Sequence, residues 1–274
     1  MTLSGADIAQ LLAAHGLRPS RALGQNFVAD PNTVRRIARL SGAGPGSHVL
    51  EIGAGLGSLT LALAETGATV VAVETDRHLV PVLRSVVEGV GAEVVEGDAL
   101  ELDLAALLAA RSPGPWSLVA NLPYNVATPL VLRTLVEVPA VAELLVMVQR
   151  EVGERWVAGP GDPAYGAVSV KVAYWSEATL VGRVPPTVFV PRPKVDSVLV
   201  RLLRREQPAV DPAVVPYARL EAVVRAGFSQ RRKMLRRSLA GTVEPEAFES
   251  AGVAPSARAE ELGVEAWGRL ARVR

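Results

Sequence analysis

Short apolar runs alternate with helical patterns through the first half of this chain, and no other feature narrows its fold as far. The runs HVLEIG (48–53), ATVVAVE (68–74), AEVVEGD (92–98), SLVANLPY (117–124) and AELLVMVQ (142–149) have strand length and β-branched content. Helical patterns occupy 5–15, 31–41, 57–66, 78–90 and 127–137. Pro81 falls early in its helix, where a missing N–H is tolerated. Such alternation implies right-handed βαβ units and a mostly parallel sheet covered on both faces. Two later strands are predicted at 179–184 and 197–203, joined by the proline-rich VPPTVFVPRPKVD. RREQPAVDP (204–212) reads as a linker, and only helical patterns follow, at 213–226, 229–240, 244–251 and 263–272. The expected organisation is an α/β domain over 1–205 and a small all-α domain over 206–274.

Composition removes several classes of chemistry. Of 274 residues, 49% are apolar and 21% charged, enough for a sizeable core and unlike a disordered chain. The absence of cysteine excludes disulfides, thiolate-ligated zinc, iron–sulfur clusters and thiol nucleophiles. His15, His48 and His78 are too scattered to suggest a metal site. No apolar run reaches the ~18 residues of a transmembrane helix. MTLSGADIAQ has no basic stretch before an apolar core, so no secretory signal and a cytoplasmic location are expected.

The net charge of +1 hides a segregation. Residues 1–182 hold 12 basic and 18 acidic side chains, residues 183–237 hold 13 and 4, and residues 238–274 hold 4 and 6. The basic band is either a solvated face or a surface for a polyanion, whose phosphate contacts release counterions.

The strand HVLEIG runs into Gly53-Ala54-Gly55-Leu56-Gly57 and then a helix. Glycines there let the backbone approach a ligand at the carboxyl end of a strand. A dinucleotide fingerprint would place its third glycine at position 58, which is Ser58. Glu74 ends the second strand, where a carboxylate accepts ribose hydroxyls. Asp98 ends the third, where an acceptor can take an adenine amino hydrogen. A glycine turn and two acids at successive strand ends match S-adenosylmethionine, although each acid alone is equally a polar strand terminus.

Asn121-Leu122-Pro123-Tyr124 closes the fourth strand. The lone pair of an adenine amine is delocalised into the ring. A side-chain oxygen and a backbone carbonyl that accept its two hydrogens favour a more tetrahedral nitrogen aimed at a methyl donor. Asn121 supplies the first acceptor, a carbonyl near Leu122–Pro123 the second, and Pro123 stiffens the backbone. Tyr124 offers a face for an unstacked base. Phe189, among prolines at the start of the basic band, is either a second such face or a core aromatic.

The motifs LGQNFVADPN (23–32), EIGAGLGSLT (51–60), VETD (73–76), GDAL (97–100), NLPYN (121–125), FVPRPKVDS (189–197), FSQRRKMLRRSL (228–239) and RAEEL (258–262) span nearly the whole chain. In this order they resemble the ribosomal RNA adenine N6-dimethyltransferase family. Residues 228–262 resemble its small-subunit branch more than the resistance methylases acting on large-subunit rRNA. The resemblance implies a Rossmann-like methyltransferase domain with a small all-α C-terminal domain, S-adenosylmethionine as cofactor and no metal. It implies cofactor contacts from Asn26, Val28, Gly53, Glu74, Asp98 and Asn121, with Tyr124 and Phe189 sandwiching a flipped adenine. Without it, 19–30 reads as a loop entering a helix, with Asp30 as N-cap and Pro31 at N1. Arg231, Arg232, Lys233, Arg236 and Arg237 match the family's basic helix, which would touch rRNA backbone; their spacing spreads them over more than one helix face. The implied substrate is 16S rRNA in the small subunit or its precursor, at two adjacent adenines in the loop of the last helix. A monomer is expected. Val28 stands where leucine is usual, and Glu101 where a less charged residue is common. Alternatives are a large-subunit resistance methylase, an assembly factor acting by binding, and a nicotinamide-dependent oxidoreductase, against which Ser58 and the basic band argue.

Overall fold

The computed structural model describes residues 2–20, 23–230 and 232–272. Seven strands form the main sheet: β1 (His48–Ile52), β2 (Thr69–Glu74), β3 (Ala92–Glu96), β4 (Trp116–Asn121), β5 (Val141–Gln149), β6 (Ser176–Val184) and β7 (Ser197–Arg204). Their order is β3-β2-β1-β4-β5-β7-β6. β1 to β5 pair in parallel, and β7 returns antiparallel to β5 with Ser197 opposite Gln149. The chain moves outward from β1 to β3 and then restarts at β4 on the other side of β1. That reversal opens a crevice at the carboxyl ends of β1 and β4, the usual ligand position in such sheets.

Val49, Leu50, Val70, Ala72 and Leu118 are fully buried, as parallel strands covered on both faces require. β3 lies at the sheet edge and exposes Glu93 and Glu96, charges that discourage pairing with another chain. Asp30 caps the helix Pro31–Leu40 by accepting the Thr33 N–H at 2.9 Å, as its sequence position predicts.

Contacts divide the chain into two units, Met1–Arg150 with Leu180–Leu203, and Glu151–Thr179 with Arg204–Arg274. A single cut after residue 205 does not describe this division, because 151–179 joins the second unit. The segment 204–212, expected as a linker, is also built into that unit. The Arg205 N–H donates to the Trp175 carbonyl and the Ala209 N–H to that of Tyr174, both at 2.9 Å. Partners some thirty residues away leave no local signature.

The second unit packs the helices Ala167–Trp175, Tyr217–Ser229 and Val264–Arg272 around Leu220, Val224, Phe248 and Trp267. The helix expected over 229–240 is not continuous. Tyr217–Ser229 stops, the chain turns through Arg232 and Lys233, and only Leu235–Ser238 is helical again. Met234 bridges Arg258, and the Leu235 N–H donates to the Ala257 carbonyl at 2.8 Å, so tertiary pairing overrides helix propensity there.

Gly227 lies under the Trp267 ring, and a Cβ at this position would come within 2.3 Å of it. Gly227→Ala gains about 1 kcal/mol of helix propensity but overpacks a rigid indole, which costs about 1–3 kcal/mol. A lower thermal midpoint is expected by calorimetry; an unchanged or raised midpoint would show that Trp267 moves aside freely.

Candidate active site

The cavity at the switch point is built almost wholly from the predicted motifs. Its floor is the turn from β1 through Gly53, Gly55 and Gly57 into the helix Ser58–Ala64, with φ of 74°, 59° and 88° at the three glycines. A Cβ on Gly55 would lie 3.0 Å from the Phe27 ring, and one on Gly57 would lie 2.9 Å from Leu83. Gly55 therefore lets the segment around Phe27 close over the turn, and Gly57 seats the helix.

Two carboxylates line this cavity. Glu74 accepts the Gly55 N–H at Oε2 (2.7 Å) and the Asp76 N–H at Oε1 (2.8 Å). Burial holds its carboxyl above the usual range, those two N–H groups oppose the rise, and the Asp76 charge adds to it. Glu51, given no role by the sequence reading, is 2% exposed, and its Oε2 has no hydrogen-bond partner. Burial pushes it from 4.5 up to about 8, with the Thr60 hydroxyl pulling down and the Glu74 charge pushing further up. No Lys, Arg or His occurs among the described lining residues. Such a cavity favours a ligand carrying positive charge and disfavours a pyrophosphate. A sulfonium-and-ammonium ligand such as S-adenosylmethionine fits these residues; a dinucleotide does not.

The segment before the helix Pro31–Leu40 is strapped across this cavity. Gln25, another residue that sequence reading left without a role, donates through Nε2 to Asp76 Oδ2 (2.8 Å) and accepts the Ser20 N–H at Oε1 (2.7 Å). Asn26 lines the cavity and donates through Nδ2 to the Gly24 carbonyl at 3.0 Å. Phe27 and Val28 pair antiparallel with Val190 and Phe189.

Asn121 ends β4 and donates through Nδ2 to the Asn26 carbonyl at 3.0 Å. That bond orients the carboxamide and leaves Oδ1 as its acceptor. The Pro123 carbonyl already accepts the N–H groups of Val126 and Ala127, at 3.2 and 3.1 Å. The Leu122 carbonyl has no partner among the described residues, which leaves it, of the two carbonyls, free to accept a hydrogen bond. Tyr124 lines the cavity, and its hydroxyl lies 3.0 Å from the Oγ of the fully buried Ser197. Burial raises its phenol, with Ser197 opposing. Ser197 closes the FVPRPKVDS motif, and its contact with Tyr124 is one that the sequence left without a role.

Two predicted residues lie apart from the cavity. Phe189 is 3% exposed and packs with Val34, Met147 and Leu199 in the core. Asp98 is exposed beyond the end of β3, where its Oδ1 accepts the Leu100 N–H at 2.8 Å. Arg232, Lys233, Arg236 and Arg237 are exposed in the second unit; Arg231 lies outside the described residues. No cluster of potential metal ligands occurs among the described residues, and no helix is long and apolar enough to cross a membrane.

The model of the ribosomal RNA adenine dimethylase family matches residues 17–273. The chain is 47% identical to ribosomal RNA small subunit methyltransferase A of Cutibacterium acnes, over 99% of this chain and 93% of that one. It is 45% identical to the protein of the same name from Kineococcus radiotolerans, over 98% and 90%. Among solved structures, the 23S rRNA methyltransferase ErmE superposes with a TM-score of 0.69 at 29% identity, over 89% of this chain and 98% of that one. A dimethyladenosine transferase from Plasmodium falciparum superposes with a TM-score of 0.73 at 24% identity, over 88% and 94%, which shows the shared fold. The glycine turn flanked by two buried carboxylates and the NLPY corner beside it thus have a common explanation: the chain belongs to the ribosomal RNA adenine dimethylase family, enzymes whose methyl donor is S-adenosylmethionine.

Proposed function

We propose that this enzyme dimethylates N6 of two adjacent adenines in the 3′-terminal helix loop of 16S rRNA, acting as a cytoplasmic monomer on the small subunit or its precursor. The observation that carries the chemistry is the acceptor pair at the end of β4, Asn121 Oδ1 and the Leu122 carbonyl, beside a cation-seeking cavity. The name shared by relatives at 43–47% identity supports the choice of subunit.

Bound S-adenosylmethionine supplies an electrophilic methyl group on a sulfonium. Glu74 would hold its ribose, and Asn26, Val28 and Gly53 its remaining contacts near the turn; Asp98, exposed outside the cavity, would meet its adenine only where the bound cofactor extends past the end of β3. The Asn121 oxygen and the Leu122 carbonyl accept the two N6 hydrogens and turn the nitrogen lone pair toward the methyl carbon. N6 would take the methyl group from the bound sulfonium, which leaves as the neutral thioether, and would then lose its proton to solvent. No strong base is needed, because the neutral thioether is a good leaving group. Tyr124 stacks on the target base. Phe189 backs the strand pair that closes the strap, and it stacks only where substrate draws it out of the core. In the second unit, Arg231, Arg232, Lys233, Arg236 and Arg237 contact rRNA backbone.

The test is methyl transfer from labelled cofactor to small subunits lacking dimethyladenosine, with large subunits in parallel. Dimethyladenosine confined to small subunits supports the proposal. Label on large subunits alone moves the enzyme to the other branch, and no label with retained binding leaves an assembly factor.

Ser197→Ala removes the hydroxyl partner of Tyr124 and leaves a half-buried phenol unsatisfied, a loss of about 1 kcal/mol in positioning. A several-fold fall in kcat with unchanged cofactor affinity is expected, and Tyr124→Phe should suppress the difference in a double-mutant cycle. Additive effects of the two substitutions would disprove the coupling.

A further inference from the structure

The loop between the short strand Phe189–Val190 and β7 has no part in the chemistry above, yet both of its ends are fastened to the catalytic corner. At one end, Val190 pairs with Phe27, and the Ala29 N–H donates to the Val188 carbonyl at 2.7 Å. At the other, Ser197 holds the Tyr124 hydroxyl, and the Arg150 N–H donates to the Asp196 carbonyl at 3.0 Å. Between these anchors runs Pro191-Arg192-Pro193-Lys194-Val195. Each proline fixes its φ and removes an N–H, so side chains are the donors that this stretch presents at those positions.

Arg192 and Lys194 are exposed, and neither forms an ion pair or hydrogen bond among the described residues. The one acid in the loop, Asp196, faces the Arg150 guanidinium at 3.9 Å. The loop therefore projects two uncompensated cations. Val190 and Val195 beside them are 38% and 44% exposed, apolar surface that the core does not use. Lys194 is three residues from Ser197, a backbone reach of at most about 10 Å. Arg192 is two residues from Val190, the partner of Phe27, so the backbone of each cation lies within about 10 Å of a residue fastened to the cavity lining.

The cavity itself carries two carboxylates and, among its described lining residues, no cation. It would repel the phosphates of any nucleotide whose base enters it. A strand that gives up one base must leave its flanking phosphates at the rim, where a guanidinium fork and an ammonium are available.

We propose that Arg192 and Lys194 form a phosphate clamp for the single strand flanking the target adenine, separate from the basic residues of the second unit. The clamp rests on the functional reading above for the identity of the strand. It explains how an acidic catalytic pocket admits a polyanion: the prolines hold positive charge at the mouth while the interior is kept for a cationic cofactor. Val190 and Val195 supply apolar contact to sugar or base edges beside the phosphates.

The test compares the wild-type enzyme with R192A/K194A, with R192K/K194R and with R236A/R237A as a reference. Binding to small subunits lacking dimethyladenosine is followed by sedimentation over a range of potassium chloride concentrations, and methyl transfer is measured in the same mixtures. For R192A/K194A the expected result is a KM for subunits about tenfold higher at low salt, and a log–log salt slope smaller by about 1.4, the loss of two single-strand phosphate contacts. Cofactor affinity by calorimetry should stay within twofold, and R192K/K194R should recover most of the slope. An unchanged KM and slope in R192A/K194A overturns the clamp, as does a loss of cofactor affinity that matches the loss of activity. If wild-type enzyme binds subunits but transfers no methyl group, the functional reading fails, while the binding slopes still decide the clamp.

Discussion

Asn121→Ala is expected to lower kcat for methyl transfer to small subunits by about 10²–10³-fold, the usual effect of losing one preorganised polar group at a reacting centre. The side chain does two things at once. Its Nδ2 is held by the Asn26 carbonyl at 3.0 Å, and the Oδ1 left as acceptor is the atom that takes an N6 hydrogen in the proposed mechanism. Alanine removes the acceptor and leaves the Asn26 carbonyl unpaired, so the nitrogen lone pair stays conjugated with the ring. Binding of subunits, carried by distant phosphate contacts, should be nearly unchanged, and cofactor affinity should change by only a few-fold. Asn121→Asp should be no better than alanine, because an ionised oxygen would face the Asn26 carbonyl where a donor is required. Single-turnover kinetics on saturated subunits checks this. Retention of more than about a tenth of wild-type kcat would mean that the Leu122 carbonyl orients the amine alone, against the size expected of such a group.

Glu51→Gln should stabilise the free enzyme at alkaline pH while weakening the cofactor. Glu51 sits in the native cavity with its carboxyl pushed up to about 8, against 4.5 for the ordinary side chain. The sign follows from which state holds the proton. Below pH 4.5 both folded and unfolded chains keep it, and Glu51 costs nothing. Between there and pH 8 the unfolded chain ionises first, so stability falls steadily, and above pH 8 the full penalty is present. At 1.36 kcal/mol per pH unit the penalty is on the order of several kcal/mol. Glutamine has no proton to lose, so unfolding midpoints of wild type and variant should meet near pH 4.5 and diverge above it, with the variant higher. The cofactor's positive charges compensate the ionised carboxylate in the complex. Wild-type affinity should therefore rise between pH 6 and pH 8 with proton release, a dependence that the variant lacks after correction for the cofactor's own amine. Calorimetry in buffers of different ionisation heat measures that release. Equal midpoints at pH 8 would show that water or rearrangement relieves the buried acid.

The unpartnered Glu51 oxygen and its unusual titration belong together. A carboxylate with no lysine or arginine beside it destabilises the empty protein, and it is retained where a cation is to be bound. Its neighbour Glu74 differs because two backbone N–H groups already stabilise its charge. The two acids thus divide the cavity. One end is prepared for a neutral, hydroxylated group and the other for positive charge.

Much of this was legible in one dimension. Periodicity placed the five parallel strands, because apolar runs of that length between helices have few other arrangements. The glycine turn, Glu74 and Asn121 were identifiable because backbone approach and hydrogen-bond chemistry restrict which residue types serve at strand ends. Asp30 announced its helix through capping, a local interaction. The charge band around 183–237 was visible, but its division was not: Arg192 and Lys194 belong to the first unit, and Arg232, Lys233, Arg236 and Arg237 to the second.

Only the tertiary structure decided the remainder, wherever an interaction joined residues far apart in the chain. Ser197 reaches Tyr124 across 73 positions, Asn121 reaches Asn26 across 95, and Gln25 reaches Asp76 across 51. The helix expected over 229–240 yields to a bridge between Met234 and Arg258, and 151–179 joins helices that follow β7. Nothing near Glu51 in sequence shows that it is buried without a partner. Local pattern reports propensity and hydrogen-bonding type; burial, orientation and shifted titration come from neighbours that only folding supplies.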